Sequence, residues 1–439
     1  MRCRGKEATR QQVPTVPSQS TGEPSIPKPV KVLAMFFHSS VQGNHISGSV
    51  KRFLEVSKAL SSAGVSLSTL EFLPPLTRSP GLWDQSFGFS GGWSPVSLRR
   101  LISILRLALL SVVLGRRLRC DVVYAPDRTE DQLIPAFFAS LLLRKPLVVV
   151  VHSVHPEEAG VSLRNFFKYQ LESNHGIKKA FAGTVIESLR RMGYRRASAF
   201  LAVSGSTAKQ VYEAFPPRRI VVSGNGVGNE WFGFPPVPKT QDACYLGTIS
   251  PEKRQELLIR AWKEVSLERP DAVLVLVGGT VDKQYASKCN ALINDLELKK
   301  NVIVTGFVDD AKARNWVNSS RIFLSASTWE GFGLSILEAM ATGLPCIVSD
   351  IPTLREIFGG TALLVDSSDP HTWAEQVLGL LEDKESLEQL SASGRRLATR
   401  FRWQEVGRKE AELIRSLAGR TGHSQVRPPD PQVIRSSNA

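Results

Sequence analysis

One pattern governs what this chain can fold into. From residue 30 to about residue 381, short apolar runs alternate with stretches of helical period. Val30–Phe37 reads as a buried strand, and Gly48–Ala63 places Val50, Phe53, Leu54, Ser57 and Leu60 on one helix face. Val65–Phe72, Asp121–Ala125, Pro146–Val151, Ala199–Val203 and Arg219–Ser223 read as further strands, with an apolar helix at Leu133–Leu143. The second half repeats the style. Strands are expected at Ala243–Gly247, Ala272–Val277, Val302–Thr305, Arg321–Ser325 and Cys346–Ser349. Helices are expected at Gln255–Glu268, Tyr285–Leu296, Leu334–Ala341 and His371–Leu381. Such βαβ alternation implies an α/β chain with parallel sheets covered by helices. The Pro-rich stretch Phe234–Thr240 divides it into halves of similar size. Two doubly wound, Rossmann-like domains facing each other place a cleft at their strand C-termini, where such folds bind ligands.

The boundaries follow from composition. Residues 1–29 are rich in Pro, Ser, Thr and Gln and read as a disordered tail. They have no apolar core of a secretory signal, and their few acids give only a faint likeness to a transit peptide. The first domain is expected at 30–237, the second at 238–402, a closing helix at 403–418 and a second polar tail at 419–439. The length of 439 residues, with 42% hydrophobic and 22% charged, excludes wholesale disorder, collagen and a multi-span membrane protein. Five scattered cysteines without a CxxC pair argue for reduced thiols in a cytoplasmic protein.

Charge is unevenly spread. Residues 30–237 carry 25 basic and 13 acidic side chains, net +12, whereas residues 238–439 are net −1. A basic half suits nucleic acid, anionic lipid or an anionic soluble substrate. No nucleic-acid recognition motif is present. Within the basic half, residues 97–119 form an apolar helix face of Leu98, Leu101, Ile102, Leu105, Leu109, Val112 and Val113. Six arginines, Arg99, Arg100, Arg106, Arg116, Arg117 and Arg119, surround it. The stretch is too short between arginines to span a bilayer. It is either an ordinary amphipathic surface helix or an interfacial one touching anionic lipid.

The strongest chemical signal is Glu330-Gly-Phe-Gly-Leu-Ser-Ile-Leu-Glu338-Ala-Met-Ala-Thr-Gly343-Leu-Pro345. A strand leads into a loop with Gly331 and Gly333, and a short helix follows. Its exposed backbone N–H groups form an anion site, and glycine at the mouth lets a phosphate approach the backbone. Glu330 and Glu338 flank that site. Carboxylates accept hydrogen bonds from hydroxyls, so the string suits a diphosphate with hydroxyls on both sides, as in a nucleotide sugar. Either Glu taken alone could be merely solvated.

These two glutamates, separated by seven residues around Gly-Phe-Gly, resemble the E-x7-E signature of the retaining GT-B glycosyltransferases, group 1 or family 4. Tyr245-Leu-Gly247-Thr-Ile-Ser-Pro-Glu-Lys253 resembles that family's first donor-domain strand and basic loop. Asn301-Val-Ile-Val-Thr-Gly306-Phe-Val308 resembles its nucleobase strand. Ala202-Val-Ser204 and Asn225-Gly226-Val227 resemble the end of its first domain, and Phe401-Arg-Trp403 the start of its closing helix. Gly48 and His152 fit its acceptor side.

The resemblance implies a GT-B fold and transfer of a hexosyl unit from a nucleoside-diphosphate sugar to an acceptor hydroxyl. The expected acceptor is a glycan or a lipid-linked one; the scattered cysteines place the chain in the cytoplasm, and the charge split with the arginine-rimmed helix suggests a peripheral position on an anionic membrane. Glu330 would hold donor-sugar hydroxyls. Phe332, Gly333 and Leu334 would bind the diphosphate through backbone N–H groups, and Lys253 would pair with it. Glu338 would hold the ribose, Val308 would meet the base by its backbone, and His152 would sit beside the donor sugar. Gly247 ends the strand. The family often has Arg after that glycine; here Thr248 stands there, and Arg254 is a substitute. His152 and His155 with Glu157 and Glu158 make a weak metal signal, and no two Asp occur at i, i+2, so no metal is expected. Gly224-Asn-Gly226-Val-Gly228 lacks the third glycine of a dinucleotide fingerprint and reads as a loop. Other readings are an epimerase or phosphorylase on the same fold, and a non-catalytic sugar-nucleotide sensor.

Overall fold

A computed structural model describes residues 28–36, 48–72, 85–89, 98–154, 163–172, 176–215, 219–234, 237–280 and 282–419. Both expected tails lie almost wholly outside these residues, as does His155. Among the described residues, seven strands form a first parallel sheet: β1 (Val30–Phe36), β2 (Val65–Phe72), β3 (Gln85–Phe89), β4 (Val122–Ala125), β5 (Leu147–Val151), β6 (Ala199–Ala202) and β7 (Arg219–Val222). Their order is β3-β2-β1-β4-β5-β6-β7. Helices α1 (Gly48–Ser62), α2 (Leu98–Leu118), α3 (Glu130–Leu143), α4 (Leu163–Glu172), α5 (Gly176–Arg196) and α6 (Gly205–Ala214) connect them.

The second sheet has six strands: β8 (Gln241–Leu246), β9 (Leu274–Val277), β10 (Val302–Gly306), β11 (Ser320–Ser325), β12 (Cys346–Ser349) and β13 (Leu363–Val365). Their order is β10-β9-β8-β11-β12-β13, again parallel throughout. Its helices are α7 (Gln255–Glu268), α8 (Lys283–Asp295), α9 (Asp310–Asn318), α10 (Leu334–Thr342), α11 (Pro352–Phe358), α12 (Pro370–Glu382) and α13 (Lys384–Ala398). The central strands are buried on both faces, as parallel strands under helices must be: Leu147–Val151 and Cys346–Ser349 have no exposed residue.

In each sheet the strand order reverses once, between β1 and β4 and between β8 and β11. Loops diverge at such a point and leave a crevice at the strand C-termini. The two crevices face each other. The last helix, α14 (Trp403–Leu417), returns from the second half to the first. Trp403, Val406, Ala411, Leu413 and Ile414 join the core of β1, β2, β4, β5 and α1. Gly407 lets α14 approach α1, since an added Cβ would lie 2.3 Å from that of Ala59. The 223–228 segment is a loop, and Gly226 is needed where it passes the Trp403 backbone nitrogen, 2.5 Å from an ideal Cβ.

Helix α2 departs from its sequence expectation. Its inner face is Ile104, Leu107, Ala108, Ser111, Val112 and Leu114, which are buried. Val112 therefore belongs to the core side. Arg100 also turns inward and pairs with Glu130 at 2.6 Å and Asp131 at 3.4 Å. Ile102, Leu105, Leu109 and Val113 are exposed. The helix thus carries two apolar stripes, and period alone cannot say which one meets the core.

Candidate active site

The facing crevices enclose a cleft of about 490 Å³. The first domain contributes Gly48 and Ser49 at the start of α1, Asp127–Glu130 after β4, and His152 and Ser153 after β5. The second contributes Glu252 and Lys253 after β8, and Trp329–Leu334 after β11. Lys253 Nζ lies 2.5 Å from Glu330 Oε1, and Ser327 Oγ donates to the same oxygen at 3.0 Å.

The helix α10 starts from Gly333 in the left-handed region, φ +92°. A Cβ there would meet Leu354 and Phe358 at 2.9 Å. Glycine is therefore required for both conformation and space. The Phe332 ring is buried edge-on to Phe358 and Phe401, which leaves its backbone on the cleft side of the turn. The first N–H groups of α10 have no partner within the helix and carry its positive dipole end. Leu334 packs on the first-domain core and is 3.9 Å from an ideal Cβ on Gly48, so the two helix starts meet here. Gly331 lies against the opposite wall: a Cβ would sit 1.7 Å from the His152 carbonyl oxygen. Thr207 Oγ1 adds a hydrogen bond to Gly331 O at 3.3 Å.

His152 Nε2 is 3.0 Å from Pro126 O. A carbonyl only accepts, so Nε2 carries the proton and Nδ1 does not. Burial lowers the His152 pKa, with Arg52 adding to the effect and Asp127 opposing it, so the ring is neutral near pH 7.

Seven sequence-identified residues thus line one cleft: Gly48, His152, Lys253, Glu330, Phe332, Gly333 and Leu334. Four do not. Gly247 follows directly after β8, with its carbonyl in close approach to Gly278. Arg254 takes a left-handed φ of +52° at the start of α7. Val308 packs into the apolar cluster beneath the second sheet. Glu338, on α10, points to the first domain, where Lys51 of α1 forms an ion pair with it. Burial raises the Glu338 pKa and Lys51 counters that effect. Lys51 also lies over the Trp231 ring, 5.3 Å from its centroid. Among the described residues no group of three or more His, Cys, Asp or Glu could hold a metal ion.

Sequence reasoning missed the groups that join the halves. Lys51 is one. Glu356 of α11 is another: its carboxylate accepts from the backbone N–H of Gly205 and Ser206, at 2.7 and 2.6 Å, at the start of α6. A carboxylate at a helix N-terminus is a favourable partner. Arg52 is the third. It is fully buried and reaches Glu410 of α14 at 2.5 Å, Asn225 at 2.9 Å and Ser223 at 2.8 Å. Tyr124 Oη donates to the other Glu410 oxygen at 2.7 Å. Helical period gave no signal, since Arg52 lies about 110° from the centre of the Val50, Phe53 and Leu60 face, and only the fold buries it against Glu410.

Two family models match the chain. "Glycosyltransferase Family 4" covers residues 46–230 and "Glycosyl transferases group 1" covers residues 229–397. A D-inositol 3-phosphate glycosyltransferase of Thermobispora bispora is 28% identical over 49% of this chain and 55% of that protein. A phosphatidyl-myo-inositol mannosyltransferase of Mycobacterium leprae is 24% identical over 55% of this chain and 65% of that protein. The chain therefore spans about half to two thirds of the length of these relatives. The crystal structure of Anabaena Alr3699/HepE with UDP and glucose superposes with a TM-score of 0.68 at 19% identity, over 88% of this chain and 100% of that one. That likeness shows the fold, GT-B. Fold and family models together establish that this chain belongs to the group 1 glycosyltransferases of family 4.

Proposed function

We propose that this chain is a retaining glycosyltransferase that moves a hexosyl unit from a nucleoside-diphosphate sugar to a hydroxyl of a glycan or lipid-linked acceptor. One observation carries the reading. Lys253, Glu330 and the open N-terminus of α10 lie together on the second-domain wall, with His152 on the wall opposite. The α10 N–H groups and Lys253 supply positive charge where a diphosphate leaves, which is where fixed dipoles lower a barrier most. Glu330 supplies a carboxylate for sugar hydroxyls. The neutral His152 ring borders the sugar without adding a charge.

In the step implied by family membership, the bond from the sugar C1 to the β-phosphate oxygen breaks. The acceptor oxygen bonds to C1 on the same face, and its proton passes to the leaving phosphate. The protein's part is to hold both ends and neutralise the diphosphate. The first-domain wall, with Asp127, Arg128, Thr129 and Glu130, is the acceptor side.

The test is a thermal-shift screen of nucleoside diphosphates and their sugars, followed by product analysis with the best donor. A ligand at a hundred times its Kd stabilises by about 2.7 kcal/mol. Release of nucleoside diphosphate with a new glycoside of the donor's own anomeric configuration supports the proposal. An inverted product removes the retaining assignment. A donor that binds and is never consumed, with any acceptor class, favours the sensor instead.

A further inference from the structure

Among the described residues β10 has one neighbour, β9, and forms an edge of the second sheet. Leu274 N donates to Asn301 O at 2.8 Å, and the register sets Ile303 beside Val275. In a parallel ladder only alternate residues bond a given neighbour. Asn301 and Ile303 therefore bond β9, while Val302 and Val304 turn their own N–H and C=O outward. Ile303 and Val304, on opposite faces of the strand, are 37% and 39% exposed, and Phe307 just beyond it is 45% exposed. From Val302 to Val308 the sequence is Val-Ile-Val-Thr-Gly-Phe-Val, with no charge and no proline. Charges and prolines are the usual devices that keep a strand edge from pairing. Here the charges stand at the two ends instead. Exposed Lys299 and Lys300 precede the strand, and exposed Asp309 and Asp310 follow it.

We propose that the β10 edge is the contact surface of a homodimer, in which two copies pair β10 with β10 in antiparallel order. The charge pattern chooses that occupant. A two-fold axis sets the strand against its own reverse, so the basic end of each copy meets the acidic end of the other. Centred on Val304, the pairing sets Lys299 opposite Asp309 and Ile303 opposite Thr305. The two Val304 residues then exchange hydrogen bonds through their outward N–H and C=O groups. Opposite charges across such a pair attract, and like charges repel. An in-register parallel arrangement would set lysine against lysine. A lipid surface is a poor occupant, because the outward backbone groups would lose water and gain no partner.

The arrangement closes on itself, since each copy spends its one β10 edge and the two six-stranded sheets join into one. The opposite edge, β13, is three residues long and offers a shorter ladder. One strand and its flanks per copy make a small contact, so the dimer belongs to the weak class that forms in proportion to concentration. The inference stands on the strand edge alone and does not depend on the proposed reaction.

The experiment is sedimentation velocity of the full chain from low micromolar to near-millimolar concentration, at low and high salt, with hydrogen exchange of the β10 amides. A dimer that grows with concentration and weakens with salt is expected, and the Val302 and Val304 amides should exchange more slowly as it forms. Val304→Pro removes an outward N–H and leaves the bonds to β9 in place, as proline at a strand edge does. It should abolish the dimer, whereas Val304→Thr, which keeps the N–H and the branched shape, should retain it. Lys299→Glu with Lys300→Glu sets acid against acid and should weaken the dimer about tenfold. Both lysines are exposed, so this pair should keep the parent's thermal unfolding midpoint and tests the contact even where proline disturbs the strand. Asp309 is left unchanged because it caps α9, accepting from Lys312 N at 2.8 Å. A monomer at every concentration overturns the proposal. So does a dimer that survives both Val304→Pro and the lysine pair, because its contact then lies elsewhere. Association that runs on past the dimer overturns it too, since a two-fold pairing leaves no second β10 edge.

Discussion

Glu410→Ala tests whether α14 is an integral part of the first domain. The Arg52–Glu410 pair has side-chain exposures of 2% and 0%, so both charges are desolvated in the folded chain. Burial works against the Arg52 charge, yet Glu410 and Tyr124 outweigh it and raise the guanidinium pKa. Removing Glu410 leaves that charge enclosed with neutral partners, Asn225, Ser223, the Gly224 carbonyl and the Tyr124 hydroxyl. Breaking one partner of a buried pair costs about 3–5 kcal/mol. Tyr124 also loses its acceptor, for about 1 kcal/mol more. That sum is a large share of a typical stability of about 5–15 kcal/mol. The companion is Arg52→Met with Glu410→Leu, which replaces the pair by apolar volume and should recover most of the loss. The assay is urea unfolding of the parent, Arg52→Met, Glu410→Leu and their double variant, with Glu410→Ala beside them, and hydrogen exchange of the α1 and α14 amides. Exchange should accelerate in those two helices first. Glu410→Ala losing less than about 1 kcal/mol, or the two single losses adding in the double variant, would refute the reasoning.

Lys253→Ala should lower kcat by about a hundredfold to a thousandfold, as removal of one stabilising donor does; Arg254→Ala should do far less, and the reverse ranking would place the diphosphate on the other residue. Lys51→Met leaves Glu338 buried without its cation, so its already raised pKa rises further. A carboxyl whose folded pKa exceeds its unfolded value of 4.5 loses stability as pH climbs between the two; the penalty of Lys51→Met should therefore be larger at pH 8 than at pH 5, and a flat comparison by urea unfolding sinks it. Gly331→Ala puts a methyl 1.7 Å from the His152 carbonyl; the two walls must part, so kcat should fall while the second domain keeps its affinity for a nucleoside diphosphate in calorimetry.

The central strands were legible because a parallel strand under helices is apolar throughout: Leu147–Val151 and Cys346–Ser349 announce themselves without neighbours. Gln85–Phe89 does not, being a five-residue edge strand with a glycine in it. Helix α5 escaped for a different reason. Its buried residues include Ala180, Ala182 and Ile186, while Ile177, Phe181 and Met192 are exposed, so apolar residues lie all round it. The second-domain half of the site was legible because the string from Glu330 to Gly343 is local: strand, turn and helix start are set by neighbours in sequence. The joints between domains were not. Lys51 and Glu338 are 287 residues apart, and Arg52 and Glu410 are 358 apart. Nothing in the local pattern around either residue names its partner. Glu338 shows the consequence, since its spacing from Glu330 suggests one ligand between two acids while the fold points it at a lysine of the other domain.

The Lys253–Glu330 pair makes the proposed donor site selective in a way that can be measured. Without a donor the two groups satisfy each other at 2.5 Å, with side chains 22% and 16% exposed. A nucleoside diphosphate alone draws Lys253 toward phosphate and leaves Glu330 half-buried with only Ser327 as donor. A nucleotide sugar offers hydroxyls to Glu330 as it offers phosphate to Lys253, so both groups regain partners. Charge-assisted hydrogen bonds are about twice as strong as neutral ones. Two of them, at roughly 1.5 kcal/mol each, amount to about a hundredfold in affinity between the sugar and the bare diphosphate. Glu330→Gln removes the charge from both states: Lys253 is released in the empty site, and the sugar meets only an amide. Isothermal titration of the two ligands against both proteins gives four Kd values. In the parent the sugar should bind far more tightly than the diphosphate; in Glu330→Gln the diphosphate should bind more tightly than it does to the parent and the gap should shrink to a few-fold, with kcat falling about ten- to a hundredfold at unchanged thermal stability. An equal gap in the two proteins would mean that Glu330 does not hold the sugar and that its bond to Lys253 only orders the loop.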